Sequence, residues 1–122
     1  MIDRRSPRRP TTQRARARST HAVFWTERAL SDLEAIGDYI ARDNEATAER
    51  WVARLVVAAE KAAMAPRAGR RVPELARDDV REVLLHTYRI VYLIAELRLE
   101  ILTVFEGHRL FPGDVEPQGD GV

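Results

Sequence analysis

Residues 80–106 read VREVLLHTYRIVYLIAELRLEILTVFE. Apolar side chains here alternate or run continuously instead of recurring every three or four positions, which is strand patterning. Two polar interruptions, His86-Thr87 and Glu96–Arg98, divide the stretch. The pattern predicts three strands, Val80–Leu85, Tyr88–Ile94 and Leu99–Glu106. Links this tight join strands only as an antiparallel meander. Tyr88–Ile94 is apolar on both alternating faces apart from Arg89, so it is expected at the centre, covered on both sides.

Outward from the meander, the periodicity changes. Residues 66–79 (PRAGRRVPELARDD) have no clean period and contain two prolines and a glycine, which predicts a long loop with a short extended piece near Val72. Before it, Ala48, Trp51, Val52, Leu55, Val56, Ala59, Ala62 and Ala63 form the inward stripe of a helix from Glu45 to about Met64, closed by Pro66. Earlier still, Ala29, Leu30, Leu33, Ile36, Tyr39 and Ile40 mark a helix from Glu27 to about Asp43, with Thr26 as its N-cap. Gly37 in its middle costs about 1 kcal/mol against alanine and suggests a close approach between helices. Asn44 caps the second helix, and the short link makes the two an antiparallel hairpin. Ala22–Trp25 is a short strand whose neighbour in the sheet stays open. The fold class is α+β, in the order β-α-α-β-β-β, with a helical hairpin over an antiparallel sheet.

The net charge of +1 conceals an asymmetry. Residues 1–20 hold seven arginines against one acid, so 13 of the 20 basic and 18 of the 19 acidic side chains remain in residues 21–122, a body at −5. Residues 1–20 contain a single large aliphatic side chain beyond the first methionine and are expected to be a disordered, Arg-rich extension. Residues 112–122 (PGDVEPQGDGV) are expected to be a flexible tail, leaving one domain over residues 21–111. There is no cysteine, which excludes disulfides and thiolate chemistry, and the three histidines lack metal-ligand spacing. No cofactor and no metal are expected. No apolar run reaches the roughly 18 residues a bilayer crossing needs, so no membrane partner is expected.

The ordered set of joints resembles the RelE/ParE toxin family of type II toxin–antitoxin systems. Val23-Phe24-Trp25-Thr26, then Ala29, Leu33, Ile36 and Tyr39-Ile40, look like its first strand and helix. Pro66…Gly69-Arg70 looks like the loop after helix two, Arg81-Glu82…Tyr88–Tyr92 like the paired strands, and Ile101–Arg109 like the last strand and its basic turn. The resemblance implies a cytoplasmic toxin neutralised by a cognate antitoxin from an adjacent gene, in a hetero-oligomer. It leaves two targets. RelE-like members cut messenger RNA on the ribosome; ParE-like members bind DNA gyrase.

Metal-free RNA cleavage needs a base, an acid and cations on the phosphate. Under the RelE-like reading the catalytic candidates are Arg81, Arg89, Arg109 and His108. Arg89 matches the family's phosphate-binding arginine, Arg109 the arginine after the last strand, and Arg81 one strand lysine. The second lysine position falls at about Val83 and the C-terminal tyrosine near Val115, neither of which moves a proton; His108 or Tyr88 could stand in for the donor. An acidic body also suits a polyphosphate partner poorly. The ParE-like reading is preferred on both counts, with a non-toxic interaction module as a further alternative. For a partner protein the candidates are Arg70, Arg71, Arg81 and Arg89. Each has a structural explanation as well: Arg89 pairing with Glu82 across the hairpin, Arg81 and Arg109 as solvated surface charges, and the arginines of residues 67–77 as a solvated run; Trp25 and Trp51 are expected as core anchors.

Overall fold

The computed structural model describes residues 21–115. Strand β1 (Ala22–Trp25) leads into helices α1 (Glu27–Ala41) and α2 (Glu45–Met64). A 3-10 turn (Pro66–Ala68) and a two-residue strand β2 (Arg70–Arg71) follow. The meander is β3 (Val80–Leu85), β4 (Tyr88–Ile94) and β5 (Arg98–Glu106). Residues 1–20 and 116–122, where most of the expected extension and tail fall, lie outside the described residues. No helix among the described residues is long and apolar enough to cross a membrane.

The sheet runs β1-β5-β4-β3-β2, with β4 central as its two-faced apolar sequence requires. It is mixed, not purely antiparallel: β1 lies parallel to β5, Ala22 opposite Arg98 and Trp25 opposite Ile101. β2 adds a two-residue edge strand directly before Val72, where a short extended piece is expected. Both helix caps form as their residue types dictate. The Thr26 hydroxyl accepts from the Ala29 amide at 3.1 Å, and the Asn44 side chain from the Thr47 amide at 2.9 Å. A Cβ on Gly37 would sit 3.1 Å from a Val52 methyl, so the glycine lets α1 and α2 close on each other.

Alanines make the inner face of α2 nearly flat. Ala59, Ala62 and Ala63 lie with Leu55 against Ile90, Tyr92, Leu99, Ile101 and Val104 of the sheet. Each fully buried large aliphatic side chain contributes roughly 1.5–3 kcal/mol. Trp25 packs on this core. Trp51 does not anchor it: its ring meets His86 at 5.1 Å and Tyr88 at 5.8 Å, beside the β3–β4 turn. The opposite sheet face is buried without any helix among the described residues. Val72, Val80, Val91, Leu93, Leu102 and Phe105 pack there under Leu75, Phe111 and Val115. Val115, in the stretch expected to be a tail, is buried against this face, and the exposed Asp114 pairs with Arg28 of α1 at 2.6 Å.

β5 carries one extra residue. Val91 faces Thr103 while Tyr92 faces Ile101, so Leu102 is unpaired and β5 bulges. Asp32 of α1 satisfies the groups this releases, accepting from the Thr103 hydroxyl at 2.5 Å and the Val104 amide at 3.1 Å. The Thr26 hydroxyl donates to the Ile101 carbonyl at 2.8 Å on the same bulge. Asp32→Ala strands a buried hydroxyl and a buried amide, and a loss of about 2 kcal/mol is expected in urea unfolding. Adding Thr103→Val should restore part of it; no restoration would mean that Asp32 acts elsewhere.

Candidate functional site

Arg89 lies on the helix-free face of β4, almost wholly buried. Its Nε donates to Glu82 Oε1 at 2.7 Å. Its Nη1 and Nη2 donate to the two oxygens of Glu74 at 3.0 and 2.8 Å. The Phe105 and Phe111 rings stand 5.0 and 5.7 Å from its guanidinium carbon. Glu82 is itself buried on β3 and takes a second cation, the Nε of Arg70, at 2.5 Å. The expected Arg89–Glu82 pair forms, diagonally across the hairpin, and is buried instead of solvated. Glu74 and Glu82 raise the Arg89 pKa above the ordinary arginine range, against the opposing effect of burial.

Arg81 points the other way. It pairs in register with Tyr92, which belongs to the helix-side core, so Arg81 and Arg89 occupy opposite faces. Its donors are spent on the loop: the Asp78 carbonyl and carboxylate, both at 2.9 Å, and the carbonyls of Gly69 at 2.9 Å and Arg67 at 3.1 Å. Arg81 therefore fastens the segment between α2 and β3. Arg70 and Arg71 lie exposed on the edge strand, Arg71 at 4.0 Å from Asp78. His108 and Arg109 follow β5, both exposed. Among the described residues no hydrogen bond or ion pair joins them to Arg81 or Arg89. Val83 packs against the helix-side core and Val115 is buried beneath the opposite face, so the positions of the missing lysine and tyrosine are both apolar contacts. Tyr88 is half-buried, and burial, with Glu106 nearby, raises its phenol pKa, so it stays protonated at neutral pH.

Sequence reasoning missed Glu74. It sits in an aperiodic loop and meets its partner 15 residues away, which no local pattern reports. The signal available was composition: an arginine-rich loop needs acids, and Glu74, Asp78 and Asp79 are the ones residues 66–79 contain. Arg89 holds the Glu74 carboxyl below the usual glutamate range, and Arg77 does the same for Asp79 and Arg67 for Asp78. A carboxylate depressed in the folded state stabilises above its unfolded pKa and loses that effect as pH falls through the folded one. The unfolding free energy should therefore decline on acidification below about pH 4.3, the ordinary glutamate value. Glu74→Gln should flatten part of that decline; an unchanged profile would mean that the Glu74–Arg89 contact contributes nothing.

A second feature lies at the sheet edge. Among the described residues β2 pairs β3 only at Arg81 and Glu82, and no strand lies outside Val83–Leu85. An open groove of about 660 Å³ runs between this edge and α2, lined by Ala53, Val57, Ala58, Val83 and Leu84, with Arg54 and Lys61 also on its wall. Val57 and Leu84 are about half exposed. Such a groove accepts an amphipathic helix or an added strand.

Comparison with known proteins accords with this geometry. Residues 23–111 match the family described as ParE toxin of type II toxin-antitoxin system, parDE. Toxin RelE2 of Caulobacter vibrioides is 39% identical over 89 residues, covering 72% of this chain and 97% of that protein. Putative toxin Y4kP of Sinorhizobium fredii is 38% identical over 96 residues, covering 77% and 96%. A chain in the solved structure titled Chromosomal ParDE TA system from P. aeruginosa shares the fold, with a TM-score of 0.61 at 21% identity, covering 72% of this chain and 97% of that one. The hairpin laid over a curled meander is thus the scaffold of a known group, and the chain belongs to the ParE toxin family of type II toxin–antitoxin systems.

Proposed function

We propose that this chain is a ParE-like toxin that inhibits growth by binding DNA gyrase, without chemistry of its own, and that a cognate antitoxin neutralises it in a cytoplasmic hetero-oligomer. The observation that carries the reading is the state of the candidate cations. Arg89 is saturated by Glu82 and Glu74, and Arg81 is turned to the other face. A transition-state phosphate needs cations converging on one point and free to meet it. The groove beside α2 supports the antitoxin part. An amphipathic segment would bury apolar side chains on Val57 and Leu84 and meet Arg54 and Lys61 with acids, with Arg70 and Arg71 exposed on the neighbouring edge strand.

The test is induction of residues 20–122, followed by growth, plasmid supercoiling and transcript integrity, with supercoiling by purified gyrase as the direct assay. Growth arrest with stalled supercoiling supports the proposal. Continued supercoiling at saturating protein overturns the target, and normal growth overturns toxicity in favour of a non-toxic interaction module. The rival reading, ribosome-dependent mRNA cleavage through Arg81, Arg89, Arg109 and His108, draws on a 39% identical relative that carries the name RelE2. It requires transcripts cut within translated codons, and intact messages in arrested cells exclude it. Co-purification with the product of the adjacent gene tests the antitoxin.

A further inference from the structure

The two edges of the Arg89 guanidinium keep different company. Nε meets Glu82, a fully buried strand residue that is part of the sheet itself. The Nη pair meets both oxygens of Glu74 in the paired-fork geometry by which arginine binds a carboxylate. Glu74 comes from the loop between β2 and β3, and its side chain is 40% exposed against 9% for Arg89. Phe105 and Phe111 wall the same guanidinium. We propose that this edge of Arg89 is a binding site for a carboxylate side chain of another polypeptide, and that Glu74 is its built-in competitor.

The charges set the class of ligand. With Glu74 withdrawn, Arg89, Arg70 and buried Glu82 leave one net positive charge, matched by one carboxylate. Glu82 directly behind the guanidinium opposes the higher charge of a phosphate monoester. The flanking rings suit an acid neighboured by an apolar residue, as in an acidic amphipathic protein segment.

The contacts that anchor this loop do not run through Glu74: Leu75 beside it packs with Val72 on the sheet face opposite the helices. Buried Val72 anchors it on one side and the Arg77–Asp79 pair on the other, while Pro73 and Ala76 are exposed. Ala76 holds φ 52, a left-handed conformation unfavourable for a non-glycine residue. Arg89 keeps Glu82 as counter-ion when Glu74 leaves.

The proposal rests on the reading that a partner protein engages this toxin, but its test needs no partner. In the full chain, the Arg89 Nε–Hε resonance is followed by NMR during titration with sodium acetate and, separately, inorganic phosphate at constant ionic strength. In Glu74→Ala the resonance should shift saturably with acetate, with a midpoint of roughly 10–100 mM, weak because so small a ligand makes few contacts. The wild type should need at least about 10-fold more acetate, because its tethered carboxylate competes at high effective concentration. Glu74→Gln, which keeps the side-chain shape, should respond in the same sense and guards against a loop rearrangement in the alanine variant. An equal response in wild type and variants, the absence of saturation in both variants, or saturation by phosphate and not acetate would each overturn the proposal.

Discussion

Arg89→Ala is expected to lower the unfolding free energy by about 3–5 kcal/mol, the usual cost of removing one partner of a buried ion pair. The loss comes from what remains. Glu82 is fully buried, and without Arg89 its carboxylate keeps only Arg70, a half-exposed cation at the sheet edge. Replacing both partners by apolar residues of similar volume, Glu82→Leu with Arg89→Met, should recover most of the stability, because no charge is then left stranded. Urea denaturation of the two variants measures both effects, and a single variant losing under about 1 kcal/mol would show the pair to be as weak as a surface one. The result bears on function. The family resemblance matches Arg89 to the phosphate-binding arginine of the RelE pattern, so under that rival reading a loss of toxicity in Arg89→Ala would be taken for catalysis when unfolding explains it equally well. The doubly substituted protein separates the two: a folded toxin lacking this arginine either arrests growth or does not.

Gly69→Ala is the second large effect, expected at about 2–4 kcal/mol. Gly69 is buried where the chain turns from the 3-10 helix into β2. A Cβ there would land on the Tyr92 hydroxyl and 2.9 Å from the Glu82 carbonyl oxygen. Neither yields easily. Tyr92 is fully buried at the centre of the sheet and donates to the Pro66 carbonyl at 2.7 Å, while the Glu82 backbone is fixed by pairing on both sides. Overpacking of this kind costs about 1–3 kcal/mol, and loss of the tyrosine hydrogen bond adds about 1 kcal/mol. Tyr92→Phe in the Gly69→Ala background should regain part of the loss, because it removes the atom struck. A thermal melt of the three proteins decides it, and an unshifted midpoint for Gly69→Ala would refute the close approach.

The elements were legible because each has one dominant period. β3 and β4 fall where their apolar runs place them, and Thr26 and Asn44 cap as their side chains predict. Three features had no local signal. The neighbour of β1 lies 76 positions on, where a four-residue apolar strand says nothing about its partner. The bulge at Leu102 is silent because Ile101, Leu102, Val104 and Phe105 are apolar on either phase, so a one-residue slip leaves no mark in the pattern. The covering of the second sheet face comes from aperiodic chain, where only composition can be read. The candidate site divided in the same way. Arg89 and Glu82 were visible as a cross-hairpin pair, whereas Glu74, which completes the guanidinium, was not. Arg81 and Arg89 are eight positions apart, but the β3–β4 turn breaks the strand alternation between them, so their separation onto opposite faces follows from register alone.

The parallel seam between β1 and β5 also governs when the molecule becomes whole. Ala22 has no partner until Arg98 has been synthesised, and Thr26, which caps α1, reaches the carbonyl of Ile101. The helical hairpin can form early on a nascent chain, but the sheet closes between its first strand and its last. Translation interrupted before residue 98 therefore releases an open half-sheet with an unmatched edge, which makes premature termination a route to an inert product in any cell that carries this gene.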